Sequence, residues 1–182
     1  MTTNEQYDKA IRSCRDIFYK KTHDYGTAWR VLRSISVADQ VYIKAQRIRT
    51  IQIKAAQMVE DDITGEFRGM VNYGIIGLIQ LEQHAEALEE WPLDMALEAY
   101  DQQAAKARNT MLSKNHDYGE AWRNMSQESF VDLILMKLKR VRQILSNEGK
   151  TIISEGIDAN FIDIINYAVF ALILIEEGRH DG

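Results

Sequence analysis

A ten-residue segment that combines titratable, aromatic and cationic side chains occurs twice in the sequence. It reads Lys-x-His-Asp-Tyr-Gly-x-Ala-Trp-Arg and spans residues 21–30 and 114–123. Its aromatic rings could stack on a base while its guanidinium binds a phosphate. The same side chains could instead be structural, with the rings packed at a bundle end, the aspartate capping a turn and the arginine paired with a carboxylate.

We expect both copies of this segment to contribute to a ligand site. The predicted substrate-binding residues are His23, Asp24, Tyr25, Trp29 and Arg30 in the first copy and Tyr118, Trp122 and Arg123 in the second. His116 and Asp117 are the predicted catalytic residues, since either could take a proton from an attacking water.

Cationic pairs with a spacing of three residues follow each segment. Lys44 and Arg47 form the first pair and Lys137 and Arg140 the second, and a spacing of three places each pair on one helix face. An aspartate lies five residues before each lysine, at Asp39 or Asp132. We expect the cationic pairs to bind phosphate and the two aspartates to belong to the same substrate site. The alternative is a solvated helix face with an N-terminal carboxylate that the helix dipole favours.

Acidic residues are concentrated in the last apolar segment of the chain. Asp163 lies among apolar residues, with Asn166 three residues later, and burying a carboxylate is costly unless it is paired or binds a metal. Glu155, Asp158 and Asp163 are therefore the predicted ligands of a Mg²⁺ ion that would hold a polyphosphate. The alternative is a salt bridge from Asp163 to Arg140 or Arg123.

The first copy differs at this site. Gly69 stands at the position of Asp163 and Thr64 at that of Asp158, whereas Asn72 matches Asn166 and is predicted, like it, to bind substrate. A metal site would therefore favour the second copy.

The whole chain consists of two copies of one unit. Residues 7–54 aligned with residues 100–147 are identical at 17 of 48 positions, which is far above chance and indicates a duplication. One extra residue then shifts the offset from 93 to 94. The single proline, Pro92, separates the copies, so we divide the chain into repeats 1–91 and 92–182, packed as one unit.

Each repeat is predicted to contain three helices. The first ends at the His-Asp-Tyr-Gly loop, where glycine suits a helix terminus. The second begins at Ser36 or Ser129 with a Ser-x-x-Asp capping pattern. The third spans about residues 63–88 or 157–177, and in the second repeat it is apolar on nearly every side, which indicates a central position.

The composition supports an all-α bundle of about six helices. One proline in 182 residues is too few for a turn-rich β fold, and 46% hydrophobic residues suffice for a core. A three-helix unit leaves an apolar face that the other unit can cover about a pseudo-twofold axis. A further association into a homodimer is also compatible with the sequence.

The motifs together resemble the family called nucleotide modification associated domain 1, in the tandem form found in Bacteroidetes. The resemblance covers both copies through the ten-residue segment, the Ser-x-x-Asp and Lys-x-x-Arg patterns and Asp-x-x-Asn-Tyr at residues 163–167. It implies a link to the modification of nucleotides or DNA bases.

A weaker resemblance is to the all-α nucleoside triphosphate pyrophosphohydrolases, which hold Mg²⁺ with Glu-x-x-Glu and Glu-x-x-Asp motifs. Only Glu155-Gly-Ile-Asp158 matches the second motif, and the first is missing. We therefore expect a protein that binds a nucleotide or another phosphorylated small molecule, with Mg²⁺-dependent phosphohydrolysis as its activity. The alternative is a non-enzymatic interaction module with a buried structural polar network.

Charge and hydropathy constrain the partners. A formal net charge of −5 is opposite to that of a protein that binds duplex nucleic acid. The most apolar stretch is about 12 residues, short of the roughly 20 that span a membrane, and the start of the chain does not resemble a signal peptide. With a single cysteine, Cys14, these features predict a cytoplasmic location without membrane contact.

Overall fold

The computed structural model describes residues 1–54, 62–83, 90–151 and 155–182, and these form six α-helices and no strand. The helices are α1 (Thr3–Tyr25), α2 (Ser34–Lys54), α3 (Ile63–Glu82), α4 (Leu93–Tyr118), α5 (Gln127–Ser146) and α6 (Ile157–Glu176). Short 3₁₀ turns, Ala28–Val31 and Ala121–Asn124, follow α1 and α4. The predicted all-α class is confirmed; the predicted end of the third helix, near residue 88, lies outside the described residues.

Equivalent helices of the two repeats pack against each other. α3 packs on α6, α2 on α5, and α1 on α4, so every helix contacts its own counterpart. Within each repeat, the second and third helices also pack together. The arrangement is the predicted pair of three-helix repeats about a pseudo-twofold axis. The exact boundary at residues 91 and 92 stays a prediction.

The helix ends follow local rules, with two corrections. Gly26 and Gly119 have φ angles of 69° and 67°, in the region that favours glycine, and they end α1 and α4 as predicted. The His-Asp-Tyr residues before each glycine, predicted to form a loop, are instead the last residues of these helices. The predicted starts of the second helices were wrong by about two residues. α2 begins at Ser34, and α5 is capped by Ser126, whose hydroxyl accepts from the Ser129 N–H.

The third helices form the centre of the bundle. Their contact is close because Gly74 and Gly77 of α3 have no Cβ: one built at Gly74 would lie 2.7 Å from Ile165, and one at Gly77 would lie 3.0 Å from Phe161. α6 is also long and apolar enough to cross a membrane, but 72% of its apolar window is buried inside the bundle. The cytoplasmic location stays a prediction.

Two buried tyrosine–asparagine hydrogen bonds cross between the repeats. Tyr7 donates to Asn166 Oδ1 at 2.7 Å, and Tyr100 donates to Asn72 Oδ1 at 2.8 Å. Each asparagine also donates through Nδ2 to a backbone carbonyl of its own repeat, at Cys14 or Ala107. Every polar atom in this fully buried pair of contacts is therefore satisfied.

Reciprocal ion pairs join α1 to α4 at the surface. Arg15 binds Asp101 through two nitrogens at 2.7 and 2.9 Å, and Arg108 binds Asp8 at 2.7 and 3.1 Å. Arg15 corresponds to Arg108, and Asp8 to Asp101, in the duplicated sequence. The pairs therefore obey the same pseudo-twofold relation as the buried hydrogen bonds.

Burial of these tyrosines predicts a loss of stability at alkaline pH. Burial raises the pKa of Tyr7 and Tyr100 well above the ordinary value of about 10 and raises the pKa of Cys14 to about 12. The folded state then disfavours loss of these protons. Stability is therefore complete below the unfolded pKa values and is lost as the pH rises above them, by about 1.4 kcal/mol per pH unit for each tyrosine.

Urea unfolding between pH 8 and pH 11 measures this loss. Tyr100→Phe should reduce the slope, since one titrating group is removed. The same variant should cost about 1–3 kcal/mol at pH 7, because Asn72 Oδ1 loses its donor. An unchanged dependence of the unfolding free energy on pH in this variant would contradict the raised pKa of Tyr100.

Candidate functional site

The predicted catalytic histidine and aspartate lie at the exposed end of α4. His116 Nδ1 and Asp117 Oδ1 are 3.2 Å apart, and the two side chains are 89% and 69% exposed. His23 and Asp24 form the same exposed pair at the end of α1, at 3.3 Å. All four side chains are thus exposed to solvent, and each histidine lies beside the aspartate that follows it in the chain.

The two arginines of the repeated segment hold their loops against other elements. Arg30 is buried, lies over the Trp91 ring at 3.8 Å, and donates to Gln80 and to the Gln83 carbonyl. Arg123 donates to Glu177 at 2.9 Å and also contacts Thr3, Gln6 and Glu120. Both guanidiniums are therefore engaged by the protein itself.

Asp163 lies between two lysines in the second repeat. Its Oδ1 accepts from Lys114 at 2.7 Å, and its Oδ2 pairs with Lys137 at 2.7 Å. Asp163 is 6% exposed and Lys137 is 9% exposed. The expected alternative, an ion pair of Asp163 with Arg140 or Arg123, is thus realised with different cations, because Lys114 and Lys137 reach the carboxylate from α4 and α5.

The surroundings of Asp163 shift the pKa values of two neighbouring side chains, Lys114 and Tyr167. Burial opposes the charge of Lys114, but its hydrogen bond to Asp163 and the nearby Glu155 outweigh burial, so the pKa of Lys114 is raised. Burial, followed by the Asp163 charge, raises the pKa of Tyr167. A protonated Lys114 and a neutral Tyr167 therefore surround the carboxylate at neutral pH.

The three predicted magnesium ligands do not converge. Asp158 lines a separate cavity with Glu82 and Lys106, because a spacing of five residues places it on another side of α6 from Asp163. Glu155 is exposed at the start of this helix. In the described part of the chain, no group of three His, Cys, Asp or Glu residues could hold a metal ion, so these residues do not fit the expected site.

Five further predicted residues lie in structural or exposed positions. Asn72 and Asn166 are occupied by the buried hydrogen bonds that cross between the repeats. Asp39 pairs with Arg142 of α5 at 2.5 Å, which links the second helices. Asp132 and Arg140 are exposed on α5. Their predicted role in binding stays a prediction.

The first repeat contains a cavity of about 500 Å³ at the place equivalent to the Asp163 cluster. Its lining includes the predicted residues Tyr25, Trp29, Lys44 and Asn72, together with Lys21, Thr22, Gly69, Tyr73 and Ile76. Lys21 and Lys44 correspond to Lys114 and Lys137, and Gly69 corresponds to Asp163. The described lining therefore has the two lysines without the carboxylate. Arg47 lies beside it, paired with Glu66 at 2.7 Å.

Trp29 and Trp122 show a second difference between the repeats. Trp122 Nε1 donates to Asn115 at 3.3 Å, and its ring stacks on Phe170 with centroids 4.2 Å apart. In the first repeat Thr22 replaces Asn115 and Ile76 replaces Phe170. Trp29 Nε1 is consequently buried with no hydrogen-bond partner among the described residues, and Trp29 borders the cavity.

Sequence reasoning missed Lys21 and Lys114 as site residues. Both were visible as the first residue of the repeated segment. Their distance from the second lysine along the chain concealed that the ammonium groups of Lys114 and Lys137 meet at Asp163 and that Lys21 and Lys44 line one cavity. The signal in the sequence is the replacement of Asp163 by Gly69 at the equivalent position of the first copy. This replacement shows that the two repeats differ in charge there.

Comparison with known proteins places the chain in a family. The model of nucleotide modification associated domain 1 matches residues 21–81 and 114–175, more than half of the chain. The chain therefore belongs to this family, as the motifs predicted, and each match runs from the lysine of the repeated segment into the third helix. No curated protein and no solved structure matches the chain.

Removing the Asp163 carboxylate should destabilise the fold. Asp163→Ala leaves the nearly buried Lys137 without its partner, and we expect a loss of about 3 kcal/mol in the free energy of unfolding. The matched control is Asp158→Ala, an exposed aspartate in the first turn of the same helix, which should change stability by less than about 1 kcal/mol. Urea denaturation compares the two variants; equal losses would argue against the buried ion pair.

Proposed function

We propose that the chain binds a nucleotide in the cavity of the first repeat. Lys21 and Lys44 neutralise the phosphate, and Tyr25, Trp29 and Tyr73 border the base. The observation that carries this proposal is the pair of lysines at a cavity whose described lining has no carboxylate. The family to which the chain belongs is named for an association with nucleotide modification, which supports a nucleotide as the ligand.

The charge at the cavity favours an anionic ligand. Lys21 forms no ion pair with any described residue, and Lys44 reaches Glu66 only at 3.6 Å. These lysines are the two charged residues of the described lining. An ammonium group binds phosphate as a point charge, and two of them match one phosphate group.

The aromatic lining favours a ligand with a planar ring. The buried Trp29 N–H lacks a hydrogen-bond partner in the described part of the chain. An unsatisfied buried donor is costly, so a ligand acceptor would stabilise it. Tyr73 lies beside Lys44, whose ammonium is 5.8 Å from the ring centroid. A volume of about 500 Å³ lies within the range of small-molecule sites.

The described residues give less support to hydrolysis than to binding. The expected magnesium ligands diverge, and the expected bases His116 and Asp117 are exposed at the bundle end. Binding therefore constitutes the proposal, and Mg²⁺-dependent hydrolysis stays a prediction.

One observation favours the alternative function, an interaction module. The crossed Tyr7–Asn166 and Tyr100–Asn72 hydrogen bonds form the buried polar network that this alternative requires. If the chain binds no nucleotide, the interaction module is the better description of its function.

Replacing one cavity lysine should weaken nucleotide binding. Lys44→Met keeps the aliphatic length but removes the charge, and a charge-assisted hydrogen bond contributes about 1.5–3 kcal/mol, so we expect Kd to rise about 10- to 100-fold. Lys54→Met is the matched control, because Lys54 is exposed at the end of the same helix. Isothermal titration calorimetry with nucleoside monophosphates measures both; equal effects would refute the assignment of Lys44.

Removing the indole N–H should weaken binding separately. Trp29→Phe deletes a donor that has no partner among the residues described, while keeping an aromatic ring, and we expect Kd to rise by about 3- to 10-fold. Trp122→Phe is the control, since the equivalent N–H already donates to Asn115. Calorimetry with the same ligands should show a larger increase in Kd for Trp29→Phe than for Trp122→Phe. The opposite order would contradict nucleotide binding in the cavity of the first repeat.

A further inference from the structure

In the second repeat, the carboxylate of Asp163 lies between two lysines. Each oxygen of Asp163 pairs with a different ammonium, Lys114 or Lys137, and both distances are 2.7 Å. A phosphate can present two of its oxygens in the same way. The Asp163 carboxylate is thus an internal template for the anion that the equivalent lysines of the first repeat would bind.

In the first repeat, the Lys44 side chain occupies the space where that carboxylate would begin. A Cβ built on Gly69 would lie 2.7 Å from Lys44 Cε and 3.0 Å from its Nζ. The contact involves the far end of a flexible side chain, which can move. Gly69 therefore permits a ligand anion to reach Lys44 without competition from a side chain at this position of α3. The Glu66 carboxylate, one turn earlier on α3, lies 3.6 Å from Lys44 Nζ and is held by Arg47 at 2.7 Å.

We infer that the first repeat binds a single phosphate group at the position of the Asp163 carboxylate, and that this carboxylate closes the equivalent site of the second repeat. The inference rests on the proposed nucleotide site. It names the ligand class as nucleoside monophosphates, with one nucleotide for each chain.

The charge balance supports a monophosphate over a triphosphate. A phosphomonoester carries a charge of about −2 at neutral pH, which Lys21 and Lys44 balance. The nearby arginines do not extend this cationic site, because Arg30 contacts Gln80 and Arg47 binds Glu66. The added charges of a triphosphate would meet no further cation in the described lining.

Packing around the tryptophans supports the closure of the second repeat. Phe170 stacks on Trp122 with an interplanar angle of 5°, so a protein ring covers the face that a base could use. Ile76 at the same position of the first repeat is smaller and borders the cavity. The two repeats thus differ at both the phosphate and the base position.

The first experiment introduces the carboxylate into the open repeat. Gly69→Asp should place a carboxylate between Lys21 and Lys44 and raise the Kd for nucleoside monophosphates at least 100-fold in calorimetry. Gly69→Ala is the matched control: it adds only the Cβ, Lys44 can move, and Kd should change less than about fivefold. Circular dichroism and thermal midpoints verify that both variants fold.

The second experiment removes the carboxylate from the closed repeat. Asp163→Gly should regain thermal stability in inorganic phosphate relative to sodium chloride of equal ionic strength, because phosphate replaces the missing anion. The gain should exceed that of Asp158→Gly, an exposed position of the same helix. An equal gain in both variants would overturn the template argument.

The outcomes separate the inference from the proposed function. The expected results for the wild-type chain are a stoichiometry of one and a monophosphate Kd at least as low as that of the triphosphate. Binding by the wild type with a stoichiometry of two, a preference for triphosphate, or unchanged binding by Gly69→Asp would overturn the inference alone. No binding by the wild type of any nucleoside mono- or triphosphate would overturn the proposed function and the inference with it.

Discussion

The need to satisfy two buried asparagines governs the assembly of this bundle. Asn72 and Asn166 lie on the central helices, where an unpaired amide would be costly. Each obtains its hydroxyl donor from the other repeat, from Tyr100 or Tyr7. Neither repeat can therefore satisfy its own asparagine alone. The pairing of α3 with α6 and of α1 with α4 follows from this exchange together with burial of the apolar faces.

The two repeats differ, however, around the cavity of the first repeat. Gly69, Thr22 and Ile76 of the first repeat correspond to Asp163, Asn115 and Phe170 of the second. In the second repeat the larger or charged residues satisfy the lysines, the indole N–H and the ring face of Trp122. The first repeat retains the lysines and the indole but lacks these internal partners. Under the proposed function, the duplication separates a copy whose polar groups are satisfied by the protein itself from a copy whose polar groups bind a ligand.

The sequence predicted the fold more fully than the site. The repeat, the six helices and the glycines that end α1 and α4 follow from local patterns, since capping and periodicity act over a few residues. The site depends on side chains brought together from different helices. Asp163 was recognised as a buried carboxylate, but its partners, Lys114 and Lys137, lie 49 and 26 residues away in the chain. Spacing along one helix could not identify them.

The sequence by itself determined the duplication, the helical class and the family, because these are properties of repeated and local patterns. Tertiary structure alone decided which polar residues are structural. It placed Asn72 in the core, His116 in solvent and Asp163 between two lysines. It also decided that the equivalent position in the first repeat borders a cavity, because the space around Gly69 is defined by three helices and the loop after α1. Burial and charge balance belong to assembled helices, so a linear pattern cannot specify them.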